Sequence, residues 1–202
     1  MFYMITFIND SKEEPFKKFK EEYERAVIKN QDIIEAISVS SFCQIEKIVD
    51  ARFVNLKIID NNEFIFFSNY DSPKADQFAS HSQIAVSIYW AATNIQIRIK
   101  AEIKKKPHAY NKKYFAVRSI KKNALAISSN QSKPINSYAQ VKKEYLSTLD
   151  GSKNLNKCPL YWGGFSFTPY YFEFWEGHES RLNKRDSYEI QNGKWQHSIL
   201  QP

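Results

Sequence analysis

The sequence predicts a mainly β fold with peripheral helices, an antiparallel barrel of the α+β class, on three observations. Short alternating or apolar segments are joined by hairpin-type turns, above all Asn192-Gly193, whose residues readily take positive φ. Aromatic residues make up 15% of the 202-residue chain, a share that favours sheets over helical bundles. Only five glycines are present, with no GxGxxG and no GxxxxGKS/T to open a parallel nucleotide-binding sheet.

From the N-terminus, Phe16, Phe19, Tyr23 and Ala26/Val27 recur at helical spacing among Lys and Glu. Residues 14 to 29 therefore form an amphipathic helix with one face to bury. Ser11 with Glu14 reads as a capping box, and Pro15 equally as a first helical residue. Strands are expected at Ala36 to Ile45, Ala51 to Ile59 and Glu63 to Ser68, the last two made a hairpin by Asp60-Asn61-Asn62. Ser72-Pro73-Lys74 is a helix start with Ser as cap, and that helix ends near His81. Ile84 to Trp90 follows as an apolar strand. Ile95-Gln96-Ile97-Arg98-Ile99-Lys100 alternates strictly, which puts Gln96, Arg98 and Lys100 on one face. Pro107 opens a helix through about Arg118, with helical segments over Lys122 to Ser128 and Tyr138 to Leu149. Leu149 to Pro159 is a polar loop containing Gly151, the best candidate for a mobile segment. Strands return at Trp162 to Thr168, Tyr170 to Trp175, Tyr188 to Gln191 and Lys194 to Ile199. The chain divides into an N-terminal arm and helix, residues 1–30, and one domain, residues 31–202.

Composition bounds the function. A length of 202 residues suffices for one domain with a real core. The net charge of +7 suits phosphate-bearing small molecules or nucleic acid, against the plainer reading of lysines scattered over a solvated surface. No nucleic-acid-binding motif supports the second of those partners. Cys43 and Cys158 lie far apart without a CxxC pattern and read as reduced, buried thiols. His81, His108, His178 and His197 are dispersed with no HExxH spacing, so no metal site is expected, and no GxSxG elbow is present. No apolar run reaches the roughly 18 residues of a membrane span, and Met1 to Phe7 is too short for a secretory core. A soluble, cytoplasmic protein is the expectation.

Several cations and rings stand at positions suited to binding. Lys74, in the first turn of a helix, adds a full charge to free backbone N–H groups, a natural phosphate seat. Arg52 and Lys57 lie on one strand such that flat geometry points them to opposite faces; a bulge or strong twist is needed for both to line one cleft. Tyr114, Arg118 and Lys122 recur every fourth residue and line one face if the helix continues past Ser119; a solvated basic face is the alternative. Gln131-Ser132, after a Ser-Ser-Asn run, offers neutral donors for a phosphate or a ring edge. Trp175, Arg181 and Arg185 supply a flat wall and two guanidinium groups that can clamp phosphate or polarise an electron-rich ring. Trp175 can equally be core, and the two arginines can pair with Glu176 and Glu179.

Arg52…Leu56-Lys57, Phe67-Ser68, Ser72…Lys74, Gln96, Tyr114-Phe115…Arg118, Gln131-Ser132, Trp162-Gly163-Gly164, Glu173-Phe174-Trp175…Arg181-Leu182…Arg185 and Trp195…Leu200…Pro202 stand in one order along the chain. From about Glu14 to Pro202 this series resembles the pyridoxamine 5'-phosphate oxidases. The resemblance implies a split β-barrel used as a homodimer, with two FMN sites built across the subunit interface. It implies FMN contacts from Arg52, Lys57, Phe67, Ser68, Lys74, Gln96, Gln131, Ser132, Trp175 and Arg185. It implies substrate contacts from Lys57, Tyr114, Arg118, Lys122, Arg181 and Asn183, with Arg181 over the pyridine ring and Arg181 and Asn183 as the catalytic pair. The implied reaction oxidises pyridoxamine or pyridoxine 5'-phosphate to pyridoxal 5'-phosphate, with O2 as acceptor and hydrogen peroxide as product.

Three positions depart from the family pattern. Pro73 stands where the family usually has an arginine near the FMN phosphate, and Lys122 where it has a serine on the substrate phosphate. Asn183 stands where it has a histidine; asparagine donates and accepts hydrogen bonds but does not titrate near neutrality. The changes around the substrate leave two further readings open. One is a related FMN oxidase acting on another substrate, of the dihydrophenazine type. The other is a non-catalytic protein that binds flavin or a phosphorylated vitamer.

Overall fold

The computed structural model describes residues 4–151 and 154–202. Within them the chain runs β1 (Thr6–Asp10), α1 (Glu14–Ile28), β2 (Ala36–Cys43), β3 (Ile48–Asn61), β4 (Glu63–Asn69), α2 (Pro73–Ser80), β5 (Gln83–Trp90), β6 (Ile95–Lys105), α3 (His108–Val117), α4 (Ile120–Ser128), α5 (Tyr138–Gly151), β7 (Trp162–Glu176), β8 (Lys184–Gln191) and β9 (Lys194–Ile199). Hydrogen bonding passes from β3 through β2, β5, β6, β7 and β4 and back to β3. This is a closed ring of six strands in which every pairing is antiparallel. β8 and β9 extend outward from β7, and β1 adds parallel to β3. The parallel strand is an addition to the antiparallel expectation.

Two long strands close the ring by changing partners along their length. β3 pairs with β2 as far as Asn55 and with β4 from Leu56 onward, and a register slip between Leu56 and Ile58 makes Lys57 the extra residue of a bulge. β7 pairs with β4 through Phe167 and with β6 from Phe165 to Glu176. It is one strand where the sequence suggested two. Pro169, which lacks an N–H, is accommodated next to a second slip at Tyr170, where the ladder is already interrupted.

Period-two alternation fills the interior. Ile84, Val86, Ile88 and Trp90 of β5 and Ile95, Ile97, Ile99, Ala101 and Ile103 of β6 are buried while their neighbours face out. β4 and β7 contribute phenylalanines, with Phe64 stacked on Phe167 at 5.2 Å. The buried face of α1 joins the same core: Phe19 meets Phe64 edge-on at 5.0 Å and Trp90 at 5.7 Å. That helix is capped by Glu13 with Pro15 in its first turn. The Ser11 hydroxyl accepts from the Glu13 N–H at 3.2 Å, so the capping box is not formed.

Turn chemistry behaves as read. Asn192 (φ 51) and Gly193 (φ 75) join β8 to β9 with both central residues at positive φ. Of the Leu149 to Pro159 segment expected as a loop, Leu149–Gly151 end α5, and residues 152 and 153 lie outside the described residues. No helix among the described residues is long and apolar enough to cross a membrane.

Candidate functional site

The start of α2 gathers a polar cluster. The Ser72 hydroxyl does not cap its helix; it donates to the Asn69 carbonyl at 2.8 Å and accepts from Lys74 Nζ at 3.0 Å. Lys74 Nζ also donates to Gln131 Oε1 at 3.0 Å, and that oxygen accepts from the Ser68 hydroxyl at 3.1 Å. One amide oxygen thus joins β4, α2 and the loop after α4. Burial pushes the Lys74 ammonium below the usual lysine range, and the Arg52 charge pushes it further down against an opposing pull from Asp50. Arg52 is fixed by bonds to Ser41 Oγ at 2.7 Å, the Val39 carbonyl at 3.2 Å, Asp50 Oδ2 at 2.6 Å and Gln77 Oε1 at 2.6 Å. Lys74 in the first turn of α2, repelled by the Arg52 charge, makes this an anion-favouring corner.

Lys57 occupies the bulge that a shared cleft with Arg52 would require. Its ammonium lies 3.5 Å from Glu35, while Arg52 bonds to Asp50, Ser41 and Gln77. Ser132 follows Gln131 in the same loop, exposed and at φ 69.

An aromatic stack adjoins this corner through Phe67, the neighbour of Ser68 on β4. Phe67 lies flat on Tyr114 of α3 at 3.6 Å and 6°, and on Trp162 of β7 at 5.3 Å and 9°. The Arg118 guanidinium sits 4.3 Å from the Trp162 ring centroid and donates to Asn123 Oδ1 at 3.3 Å. Burial raises the Tyr114 phenol and lowers the Arg118 guanidinium from their usual values. Packing is tight at Gly163-Gly164: a Cβ on Gly163 would lie 2.1 Å from Asn111 Nδ2, and one on Gly164 would press on Phe67 Cε1 at 3.2 Å. Asn111 ties α3 to β7 by accepting from the Gly164 N–H at 2.9 Å.

One sequence expectation is corrected here. Tyr114, Arg118 and Lys122 do not share a continuous helix face. The backbone turns extended at Arg118 (ψ 156), and Ser119 caps a new helix by accepting from the Lys122 N–H at 3.4 Å. Arg118 still reaches the stack beside Tyr114; Lys122 is exposed in the first turn of α4.

A second group lies at the other end of β7. Trp175 stands opposite Gln96 of β6 and opposite Arg185 of β8, so the three form one row across the sheet. Glu173, only 2% exposed, anchors that row. One of its oxygens accepts from Arg185 Nε at 3.0 Å and Nη2 at 2.8 Å, the other from Arg98 Nη1 at 2.9 Å and the Tyr171 hydroxyl at 3.0 Å. Arg185 Nη1 also donates to the Gln201 carbonyl at 2.8 Å. Glu176, an expected partner of these arginines, pairs instead with Arg25 of α1 at 3.3 Å. In the loop between β7 and β8, Arg181 is exposed at φ 61 and its N–H donates to the His178 carbonyl at 2.9 Å. Asn183 Oδ1 accepts from the His178 N–H at 3.0 Å.

The two groups are remote within one chain. Ser68 pairs with Gly163 near the start of β7, and Trp175 is twelve residues further along that strand. At roughly 3.3 Å per residue, this is about 40 Å of β7.

Comparison with known proteins identifies the family. The family described as Pyridoxamine 5'-phosphate oxidase matches residues 43–146, and the Pyridoxine 5'-phosphate oxidase C-terminal dimerisation region matches residues 162–202. Pyridoxine/pyridoxamine 5'-phosphate oxidase 1 of Hydrogenovibrio crunogenus is 32% identical over 196 residues, covering 96% of this chain and 90% of the relative. The Pseudomonas syringae pv. tomato enzyme is 32% identical over 194 residues, covering 95% and 90%. PhzG from Burkholderia lata 383, solved in complex with tetrahydrophenazine-1-carboxylic acid, has a TM-score of 0.85 at 22% identity, covering 94% of this chain and 93% of that one. A pyridoxamine 5'-phosphate oxidase-related, FMN binding protein from Nostoc punctiforme has a TM-score of 0.76 at 12% identity, covering 91% and 97%. These two structures share the fold. Sequence matches and fold together define the class, an oxidoreductase. More narrowly, the chain belongs to the pyridoxamine 5'-phosphate oxidase family.

Proposed function

We propose that this protein is an FMN-dependent oxidase that converts pyridoxamine or pyridoxine 5'-phosphate to pyridoxal 5'-phosphate, releasing hydrogen peroxide. In this reading the ring of strands is the split β-barrel of a homodimer, and each of two sites is built from both copies. The observation that carries the reading is the separation along β7. Ser68, linked through Gln131 to Lys74, lies at one end, and Gln96, Trp175 and Arg185 at the other. In the proposed dimer a second copy lays the indole row of one chain against the cation corner of the other. The row itself belongs to residues 162–202 and their β6 neighbour, the part matched as a dimerisation region.

The donor set fits a phosphorylated flavin. Arg52 and Lys74 suit its phosphate, Ser68, Gln131 and Ser132 its polar edges, and Trp175 its flat face. Lys57 and Phe67 border the same ground, and Gln96 and Arg185 flank Trp175. Bound FMN supplies the hydride acceptor that O2 afterwards reoxidises. The chain's own work is orientation and electrostatics. Arg118 offers the vitamer phosphate a cation, and Tyr114, held protonated by burial, donates a hydrogen bond to it. Arg181 covers the pyridine ring from a loop braced by Asn183, and Lys122 adds a cation on the phosphate side.

A specific pair of residues favours one second reading. Lys122 and Asn183 both fall around the substrate, so a related FMN oxidase acting on a different reduced ring, of the dihydrophenazine type, is the alternative. Visible absorption of the purified protein, flavin titration and turnover with both vitamers test the reading. Yellow protein that forms the aldehyde and peroxide is expected. Protein that takes up no FMN overturns the proposal. Loaded protein that oxidises neither vitamer, yet is bleached anaerobically by a dihydroaromatic, moves the conclusion to the alternative.

A further inference from the structure

Resting on that reading, we infer that His178 is the imidazole that meets the substrate in this chain, donating a hydrogen bond through Nε2, and that Asn183 is its anchor. The loop carrying it is rooted at Gly177, whose N–H donates to the Asn94 carbonyl at 3.1 Å. A Cβ at Gly177 would lie 2.3 Å from Asn94 Nδ2, so the root is close-packed. Both peptide groups of His178 are pinned: its N–H donates to Asn183 Oδ1 at 3.0 Å, and its carbonyl accepts from the Arg181 N–H at 2.9 Å. Asn183 is half-buried and spends its side-chain oxygen inside the loop, whereas His178 is exposed beside Arg181.

The ring is pinned as well. The Ser180 N–H donates to His178 Nδ1 at 3.2 Å, and Ser180 Oγ lies 2.7 Å from the same nitrogen. A backbone N–H has only a proton to offer, so Nδ1 is the acceptor and the neutral ring carries its proton on Nε2. The result is an N–H donor of fixed tautomer on the loop that also presents Arg181. The resemblance implies a histidine at position 183; in this chain Asn183 instead holds the peptide that carries His178.

A purely local role is the competing account, because an acceptor for the N–H two residues ahead is what asparagine supplies in a tight turn. Three variants of FMN-loaded protein separate the two. His178→Asn keeps an acceptor near Ser180 and deletes Nε2; His178→Gln returns an amide N–H near the Nε2 position; His178→Ala removes both. For a substrate contact, Asn and Ala raise KM for pyridoxine 5'-phosphate about tenfold with flavin retention unchanged, and Gln recovers most of it, as loss of one hydrogen bond predicts. For a turn cap alone, Asn matches the wild type and Gln matches Ala, which overturns the inference. Ring 15N resonances give a readout apart from turnover: added pyridoxal 5'-phosphate should shift His178 Nε2, and an unmoved Nε2 in protein that demonstrably binds the vitamer also overturns it. Protein that binds FMN but no vitamer at all sinks the functional reading, and this inference with it.

Discussion

At the Trp175 end of β7 two arginines share a buried carboxylate, whereas near Lys74 the half-exposed carboxylate of Asp50 pairs with Arg52 and also accepts from Gln77 Nε2 at 3.5 Å. The Lys74 hydrogen bonds go to neutral oxygens of Ser72 and Gln131, and its ammonium is pushed below its usual range. Glu173 by contrast has both oxygens occupied by Arg98, Arg185 and Tyr171. The first end holds positive charge that a bound anion would relieve. The second also has two cations to one carboxylate, but both arginines bond it directly and so present a rigid row. Receptor and wall are different jobs, and in the dimer proposed above they come from different copies.

Mixing two damaged proteins should give the largest effect. Lys74→Ala and Trp175→Ala should each lose most flavin retention and turnover. Co-refolded in equal amounts, they should regain about a quarter of wild-type sites, because half the dimers are mixed and each mixed dimer carries one intact site. A mixture no better than its parents would place both residues of a site on one chain. The readout is bound flavin per protomer together with vitamer turnover.

Much of this was legible because local rules and tertiary demands coincide. β5 and β6 alternate cleanly because the ring has one dry face, and α1 follows from the spacing of Phe16, Phe19 and Tyr23. β1 was not legible: its place is set by the neighbouring edge of β3, and its own residues do not alternate toward a core. The break at Arg118 matches the helix end read there, and the shared face of Tyr114, Arg118 and Lys122 needed a continuation that Ser119, a good N-cap residue, prevents. Glu173 also announced itself, as a lone charge between Phe172 and Phe174 in an apolar strand, which only a buried partner set can explain. The distance between the two groups was hidden altogether, because strand register decides it. The positions matched by resemblance carried no information about which of them meet within one copy.

Substitutions at single charges should have smaller effects. Glu173→Ala should cost about 2–4 kcal/mol in denaturant unfolding, since it leaves Arg185 and Tyr171 without their common acceptor. Flavin retention should fall only through the disordered row. Lys74→Met should act with opposite signs on two measurements. FMN binding should weaken by about 1–3 kcal/mol, the worth of a charge-assisted contact. The flavin-free protein should become more stable at neutral pH. With its folded pKa below the ordinary lysine value, the Lys74 charge costs stability at low and neutral pH, and the cost fades as pH rises through the folded value toward the unfolded one. Wild-type stability should therefore gain on that alkaline side relative to Lys74→Met; equal slopes would remove the strain argued for the α2 corner.

Asp186 gives the mildest test, because it sits beside Arg185 yet has a purely structural set of contacts. Its carboxylate is 2.5 Å from Lys18 Nζ of α1 and 2.9 Å from His197 Nε2 of β9, which ties the N-terminal helix to the C-terminal hairpin. Burial alone would raise this carboxyl, but the bonds from Lys18 and His197 outweigh it and hold it below the usual range. A depressed folded pKa contributes stability that is present above the unfolded carboxylate value and is lost as pH falls through the folded one. Asp186→Asn should cost about 1 kcal/mol at neutral pH and flatten the acid limb of the stability profile. FMN affinity should hardly change, because the wall at Trp175 is braced through Glu173. A loss of flavin binding as large as that of Lys74→Met would mean that the two ends of β7 do not divide their work as their charges indicate.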